Sequence, residues 1–136
     1  FPKAQVQGLD SSSDLNSYAR QQGASSLQFH DVDMRREGWI RLLPNKLDLV
    51  ITLQSLHDLG GADEITNIYL ASYQALIRGG IAMITDFMPD EIEFSESQPG
   101  RLPVTWHLEK LASAGFHNVK CSIKGKKLRC CIGLKT

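Results

Sequence analysis

The sequence predicts an α/β fold, a mostly parallel sheet closed by a C-terminal antiparallel β-hairpin. Three observations carry this expectation. Two apolar runs, Leu47 to Thr52 and Ile81 to Asp86, are separated by a stretch whose apolar residues recur at helical spacing, which makes a βαβ unit. A shorter strand, helix and strand pattern precedes it between residues 4 and 32. Two last runs, 119–124 and 128–134, are joined by Gly125, Lys126 and Lys127 and read as a hairpin.

Residues 4–10 alternate weakly and end in Asp10, a short strand closed by an acid. Ser11, Ser12 and Ser13 can cap a helix start, Asp14 suits its first turn, and Gly23 is a natural stop. Leu15, Tyr18 and Ala19 share one face of that helix, which marks them as its apolar side. Residues 27–32 form a second short strand ending at Asp31 and Val32, and residues 33–46 are irregular, with Trp39 and Ile40 as anchors. After the third strand, Ile65, Ile68, Tyr69, Tyr73, Leu76 and Ile77 make an apolar stripe on a helix. Asp63 and Glu64 suit its start, Arg78 its end, and Gly79 its termination. Residues 88–103, with three prolines, read as a loop. Thr105 caps a last helix whose stripe is Leu108, Leu111 and Ala112.

A chain of 136 residues, 42% apolar and 22% charged, is one ordinary globular domain spanning residues 1–136. Fifteen basic residues balance fifteen acidic ones, so bulk charge gives no reason to expect nucleic acid. No apolar run reaches the roughly 18 residues of a membrane span. The chain opens on Phe1 rather than Met, leaving room for a preceding segment. Cys121, Cys130 and Cys131 lack zinc-ligand spacing and read as free thiols of a cytoplasmic protein. No metal site is expected, because His30, His107 and His117 are dispersed. The six basic residues between Lys120 and Lys135 read as a solvated strand face.

Taken in order, these pieces resemble the class I S-adenosylmethionine-dependent methyltransferase domain from its second strand to its last. Residues 2–10 look like the family's second strand with its terminal acid, and residues 29–32 like its third. Residues 47–59 look like the fourth strand and the motif that follows. Residues 75–86 look like the Leu-x-x-Gly-Gly turn into the fifth, and residues 108–116 like the helix and Gly-Phe step before the sixth and seventh. The resemblance implies a Rossmann-like fold and S-adenosylmethionine as cofactor. It implies that Asp10, with Ser11 after it, addresses the ribose, that Asp31 and Val32 address the adenine, and that Thr52 and Leu53 line the cleft near the sulfur. The step Leu56, His57, Asp58, Leu59 is similar to a Leu-His-Asp-Trp step of small-molecule O-methyltransferases, where the His removes a proton from the acceptor hydroxyl. Imidazole titrates near neutrality and suits that task. A packing histidine is the alternative reading.

The sequence departs from the family at one diagnostic place: it has no first strand with a Gly-x-Gly-x-Gly turn. That strand is implied to sit centrally in the sheet. Its absence predicts two open strand edges, to be filled by an upstream segment or a second chain. The expected function is methyl transfer to a small-molecule acceptor within a longer or assembled protein, so whether this chain is itself an enzyme stays open. The competing reading is a non-catalytic methyltransferase-like module that binds a partner chain. A different nucleotide-binding α/β protein is a third, because fold does not fix function.

Overall fold

The computed structural model describes residues 3–23, 27–36, 38–43, 46–90, 99–123 and 128–136. The chain divides into two compact units, Phe1–Leu43 and Pro44–Thr136.

In the first unit, strand β1 (Val6–Asp10) and strand β2 (Leu27–Asp31) pair in parallel, with Asp10 opposite Asp31. Helix α1 (Ser13–Gln22) crosses between them. Its start follows the expected chemistry: the Ser12 hydroxyl accepts the Leu15 amide at 3.3 Å, and Asp14 lies in the first turn. Its expected apolar face is not what it buries. Leu15 and Tyr18 are 62% and 65% exposed, and Asn16 is the buried residue. Polar bonds replace apolar packing here. Asn16 Nδ2 donates to the Asp10 and His30 carbonyls and to Asp31 Oδ1, joining the helix to the carboxyl ends of both strands. Further on, Trp39–Leu42 form a short 3-10 turn in which Trp39 and Ile40 are half-buried.

The second unit holds strand β3 (Leu47–Leu53), helix α2 (Ala62–Ala75), strand β4 (Leu76–Phe87), helix α3 (Val104–Ser113) and strands β5 (His117–Ile123) and β6 (Leu128–Leu134). The sheet order is β3-β4-β6-β5, with β3 and β4 parallel and β6 antiparallel to both its neighbours. The α/β class and the terminal hairpin are therefore present; the hairpin's turn residues 124–127 lie outside the described residues, as do residues 91–98 of the expected loop. Ile65, Tyr69, Ala82, Ile84, Leu111 and Cys131 are fully buried on one side of the sheet and form its core, each larger apolar side chain contributing about 1.5–3 kcal/mol.

Three boundaries differ from expectation. Helix α2 ends at Ala75, so Leu76 and Ile77 belong to β4 rather than to the helical stripe, and Gly79 (φ 83°) bends the strand instead of ending the helix. The cation at the helix end is Lys135, not Arg78: its Nζ donates to the Tyr73 and Leu76 carbonyls at 2.7 Å each and lies 4.7 Å from the Tyr73 ring centroid. Helix α3 is capped at Pro103, with Thr105 inside it, and buries His107 and Leu111. Nor is the basic C-terminal stretch a uniform solvated face, since Lys135 caps α2 and Arg129 is buried with its Nη2 on Asp90 Oδ1 at 2.8 Å.

Both expected open edges are present among the described residues: β1 has only β2 beside it, and β3 has only β4. On the sheet side away from the core, Leu49, Ile51 and Leu53 of β3 and Ile81 of β4 are 38–65% exposed. The same face is half-buried at Met83, Thr85 and Ile132 and buried at Cys130, so the exposed apolar strip runs along the open β3 edge.

Candidate active site

The carboxyl ends of parallel strands are where α/β folds place ligands. In the first unit that rim gathers Asp10, Ser11, Asp31 and Val32; in the second it gathers Thr52, Leu53 and His57.

His57 sits in a 3-10 turn, Leu56–Asp58, directly after β3. Its backbone entry is unusual, because Gln54 adopts the left-handed region (φ 51°) that non-glycine residues rarely occupy, while its amide donates to the Thr85 carbonyl at 2.8 Å. Such outliers concentrate at functional sites. The turn is anchored by Asp86 at the end of β4, whose side chain is 2% exposed. Asp86 Oδ2 accepts the Leu56 and His57 amides at 2.8 and 3.2 Å, and Oδ1 accepts the Phe87 amide at 2.7 Å. Oδ1 also lies 2.6 Å from His57 Nδ1. All its other partners are N–H donors, so Asp86 acts as an acceptor throughout and Nδ1 carries the ring hydrogen. The lone pair is then on Nε2. Nε2 has the carboxylate of Asp58, 78% exposed, at 3.4 Å. The Phe87 ring meets the imidazole edge-on at 5.2 Å, and Arg101 stacks over the far partner, its guanidinium carbon 5.3 Å from the Phe87 centroid.

Gly100 closes over this turn. A Cβ built there would overlap the His57 carbonyl oxygen and come within 2.7 Å of the Gly60 carbonyl oxygen, both rigid backbone. Gly100→Ala is expected to push the loop off His57 and destabilise the fold by about 1–3 kcal/mol, as overpacking does; a denaturant midpoint equal to wild type would refute this contact.

Behind the site lies a second polar pair, Tyr69 and His107, joining α2 to α3. The Tyr69 hydroxyl is 2.6 Å from His107 Nδ1, with both residues buried, and the Leu102 carbonyl is hydrogen-bonded to the same imidazole. The bond to a carbonyl puts the ring hydrogen on Nε2, so Tyr69 donates to Nδ1. Burial pushes the His107 pKa down to about 4, against the opposing effects of the Asp86 charge and the Leu102 carbonyl.

In the first unit, Asp10 is exposed at the end of β1, with Oδ1 accepting the Ser12 amide at 2.8 Å. A carboxylate in this position fits a ribose diol. The adenine pair fits less well. The Val32 amide already donates to the Asp10 carbonyl at 2.8 Å, and Asp31 Oδ1 is bonded to Asn16 and Arg20 at 2.8 and 3.0 Å. Hydrogen bonding by Asn16, with help from Arg20, holds the Asp31 carboxyl below the usual range. Asp33, the neighbouring acid, is clamped by Arg35 and lowered to about 2. In the second unit, Thr52 Oγ1 is buried without a hydrogen-bond partner among the described residues, and Leu53 is 65% exposed. Among the described residues no cluster of His, Cys, Asp and Glu could hold a metal ion.

Together, the parallel βαβ units, the rim at their carboxyl ends and the hairpin that inserts β6 beside β4 define the class I methyltransferase fold, present in part. Solved structures share it. An O-methyltransferase family protein from Burkholderia thailandensis aligns with 99% of this chain at a TM-score of 0.77 and 17% identity, and human N-acetylserotonin methyltransferase, in complex with SAM, aligns with 99% at 0.73 and 20%. The methyltransferase domain of a citrinin polyketide synthase aligns with 94% at 0.73 and 15%. The chain spans 45%, 41% and 38% of those proteins, less than half of each. No protein-family model and no curated protein matches the sequence.

Proposed function

We propose that this chain is the later part of a methyltransferase that moves a methyl group from S-adenosylmethionine to a hydroxyl of a small-molecule acceptor. The observation that supports this most is the His57–Asp86 pair: a buried carboxylate, itself held by three amides, orients an imidazole with its basic nitrogen outward. Such a carboxylate fixes both tautomer and ring orientation. His57 Nε2 takes the acceptor proton as the oxygen attacks, and the imidazolium that forms is held between Asp86 and Asp58. S-adenosylmethionine, when bound, supplies an electrophilic methyl group on a sulfonium. By the family resemblance, Asp10 in the first unit is assigned to the ribose hydroxyls, and Thr52 and Leu53 in the second unit to the neighbourhood of the sulfur. The open edges of β1 and β3 each accept a further strand, from an upstream segment or a second chain.

Two binding experiments address the cofactor. Asp10→Ala is expected to weaken S-adenosylmethionine binding by about 1.5–3 kcal/mol, the value of hydrogen bonds to a charged group, whereas His57→Ala leaves it close to wild type. Equal affinity of Asp10→Ala and wild type refutes the ribose role. The 136-residue chain alone is expected to bind the cofactor weakly, since this sequence supplies no glycine turn that lets backbone approach the methionine end. Calorimetry giving micromolar affinity would contradict that.

The second reading, a non-catalytic module that binds a partner chain, is favoured by the exposed apolar strip of Leu49, Ile51, Leu53 and Ile81. Methyl transfer that depends on His57 decides against it.

A further inference from the structure

The hairpin brings two of the three cysteines together. Cys121 of β5 stands directly opposite Cys131 of β6 in the antiparallel register, so both side chains leave the same face of the sheet. Opposed residues in such a ladder have Cα atoms about 4.5–5.5 Å apart, inside the roughly 4.4–6.8 Å that disulfides span. The Cys121 thiol donates to the Ser122 carbonyl at 3.7 Å. Cys130 is different: it stands opposite Ser122 and projects from the other face. All three are free thiols.

The environments of the pair are unequal. Cys121 is half-buried, while Cys131 is fully buried with its Sγ 3.6 Å from Met88 Sδ. Burial pushes the Cys131 thiol well up, and Cys121 is the more exposed of the two, so it is the one a solution oxidant reaches first.

We propose that Cys121 and Cys131 are a redox pair that closes reversibly into a cross-strand disulfide. With a low-molecular-weight disulfide as oxidant, the Cys121 thiolate attacks one sulfur, the oxidant's S–S bond breaks and one thiolate leaves. Cys131 then attacks the Cys121 sulfur, its proton passes to the second departing thiolate, and the Cys121–Cys131 bond forms. Two protein thiols are oxidised and one small disulfide is reduced to two thiols. Cys131 lies opposite Ile84 on β4, two residues before Asp86. The pairing stands whether or not the chain transfers methyl groups.

The test is incubation of the folded chain with oxidised glutathione, acid quenching, thiol titration in denaturant and peptide mapping without reductant. The expected thiol titre falls from three to one, with the Cys121 and Cys131 peptides joined and dithiothreitol restoring all three. Cys130→Ser falls from two to none, and Cys121→Ser forms no bridge. A titre that stays at three, an arrest at glutathionylated Cys121, a bridge to Cys130, or a dimer linked between chains overturns the proposal. Circular dichroism of the oxidised protein matching the reduced one is part of the expected result; loss of the native spectrum counts against it.

Discussion

Asp86→Asn is expected to lower methyl-transfer turnover by about 10²–10⁴-fold, the range over which a positioned general base acts. In the structure Asp86 only accepts hydrogen bonds, and His57 Nδ1 faces its Oδ1 at 2.6 Å. An amide NH2 placed at that oxygen donates instead, forcing the ring hydrogen onto Nε2 and removing the lone pair that takes the acceptor proton. His57→Ala removes the base outright and should fall in the same range, with cofactor affinity kept. The two losses are not additive, because both variants disable one unit. A double variant much slower than either single one would show that Asp86 and His57 act separately. Asp86→Asn also leaves an amide nitrogen facing the Phe87 N–H, so its melting temperature should drop as well. His57→Ala, which keeps the Asp86 bonds to backbone, separates the kinetic effect from that loss.

Stability is expected to decline between about pH 6.5 and about pH 4 through His107. The sign follows from its lowered pKa: the folded state keeps the imidazole neutral while the unfolded chain takes up the proton first. The contribution is therefore whole above the unfolded value of 6.5 and is lost as pH falls toward the folded value of about 4. The gap between the two corresponds to on the order of 3 kcal/mol. Protonation puts a hydrogen on Nδ1, where the Tyr69 hydroxyl donates now, and charges a ring that is 2% exposed. His107→Asn, whose oxygen takes the place of Nδ1, should be less stable at pH 7 but flatter with pH. Parallel pH profiles for wild type and this variant would assign the acid sensitivity to other groups.

Periodicity made the elements legible, because burial on one face writes itself into spacing. The β3 and β4 runs, the α2 stripe through Tyr73 and the hairpin all lie where the sequence places them. What periodicity missed are contacts between residues far apart in the chain. Lys135 caps a helix 59 residues earlier, and Asn16 replaces an apolar face with bonds to two strand ends. Neither leaves a local signal. The site was half legible. His57 stands out in its Leu-His-Asp step and Asp86 ends the neighbouring strand at the ligand-bearing end of the βαβ unit, but their contact across 29 positions is not written in either motif. A signal did exist. Parallel β3 and β4 put their carboxyl ends side by side, so an acid ending one strand faces the turn that leaves the other. Asp31 and Val32 run the other way: their type and order suit a nucleobase, yet the fold engages both in bonds of its own.

Transfer of a labelled methyl group from S-adenosylmethionine to phenolic and alcoholic acceptors, by the natural protein and by its His57→Ala and Asp86→Asn variants, tests the central claim most directly. A methylated oxygen product from wild type, lost together in both variants with cofactor binding retained, is the expected result. Transfer that proceeds equally well in both variants would contradict the account, since the buried pair would then hold the turn in place and take no part in the chemistry.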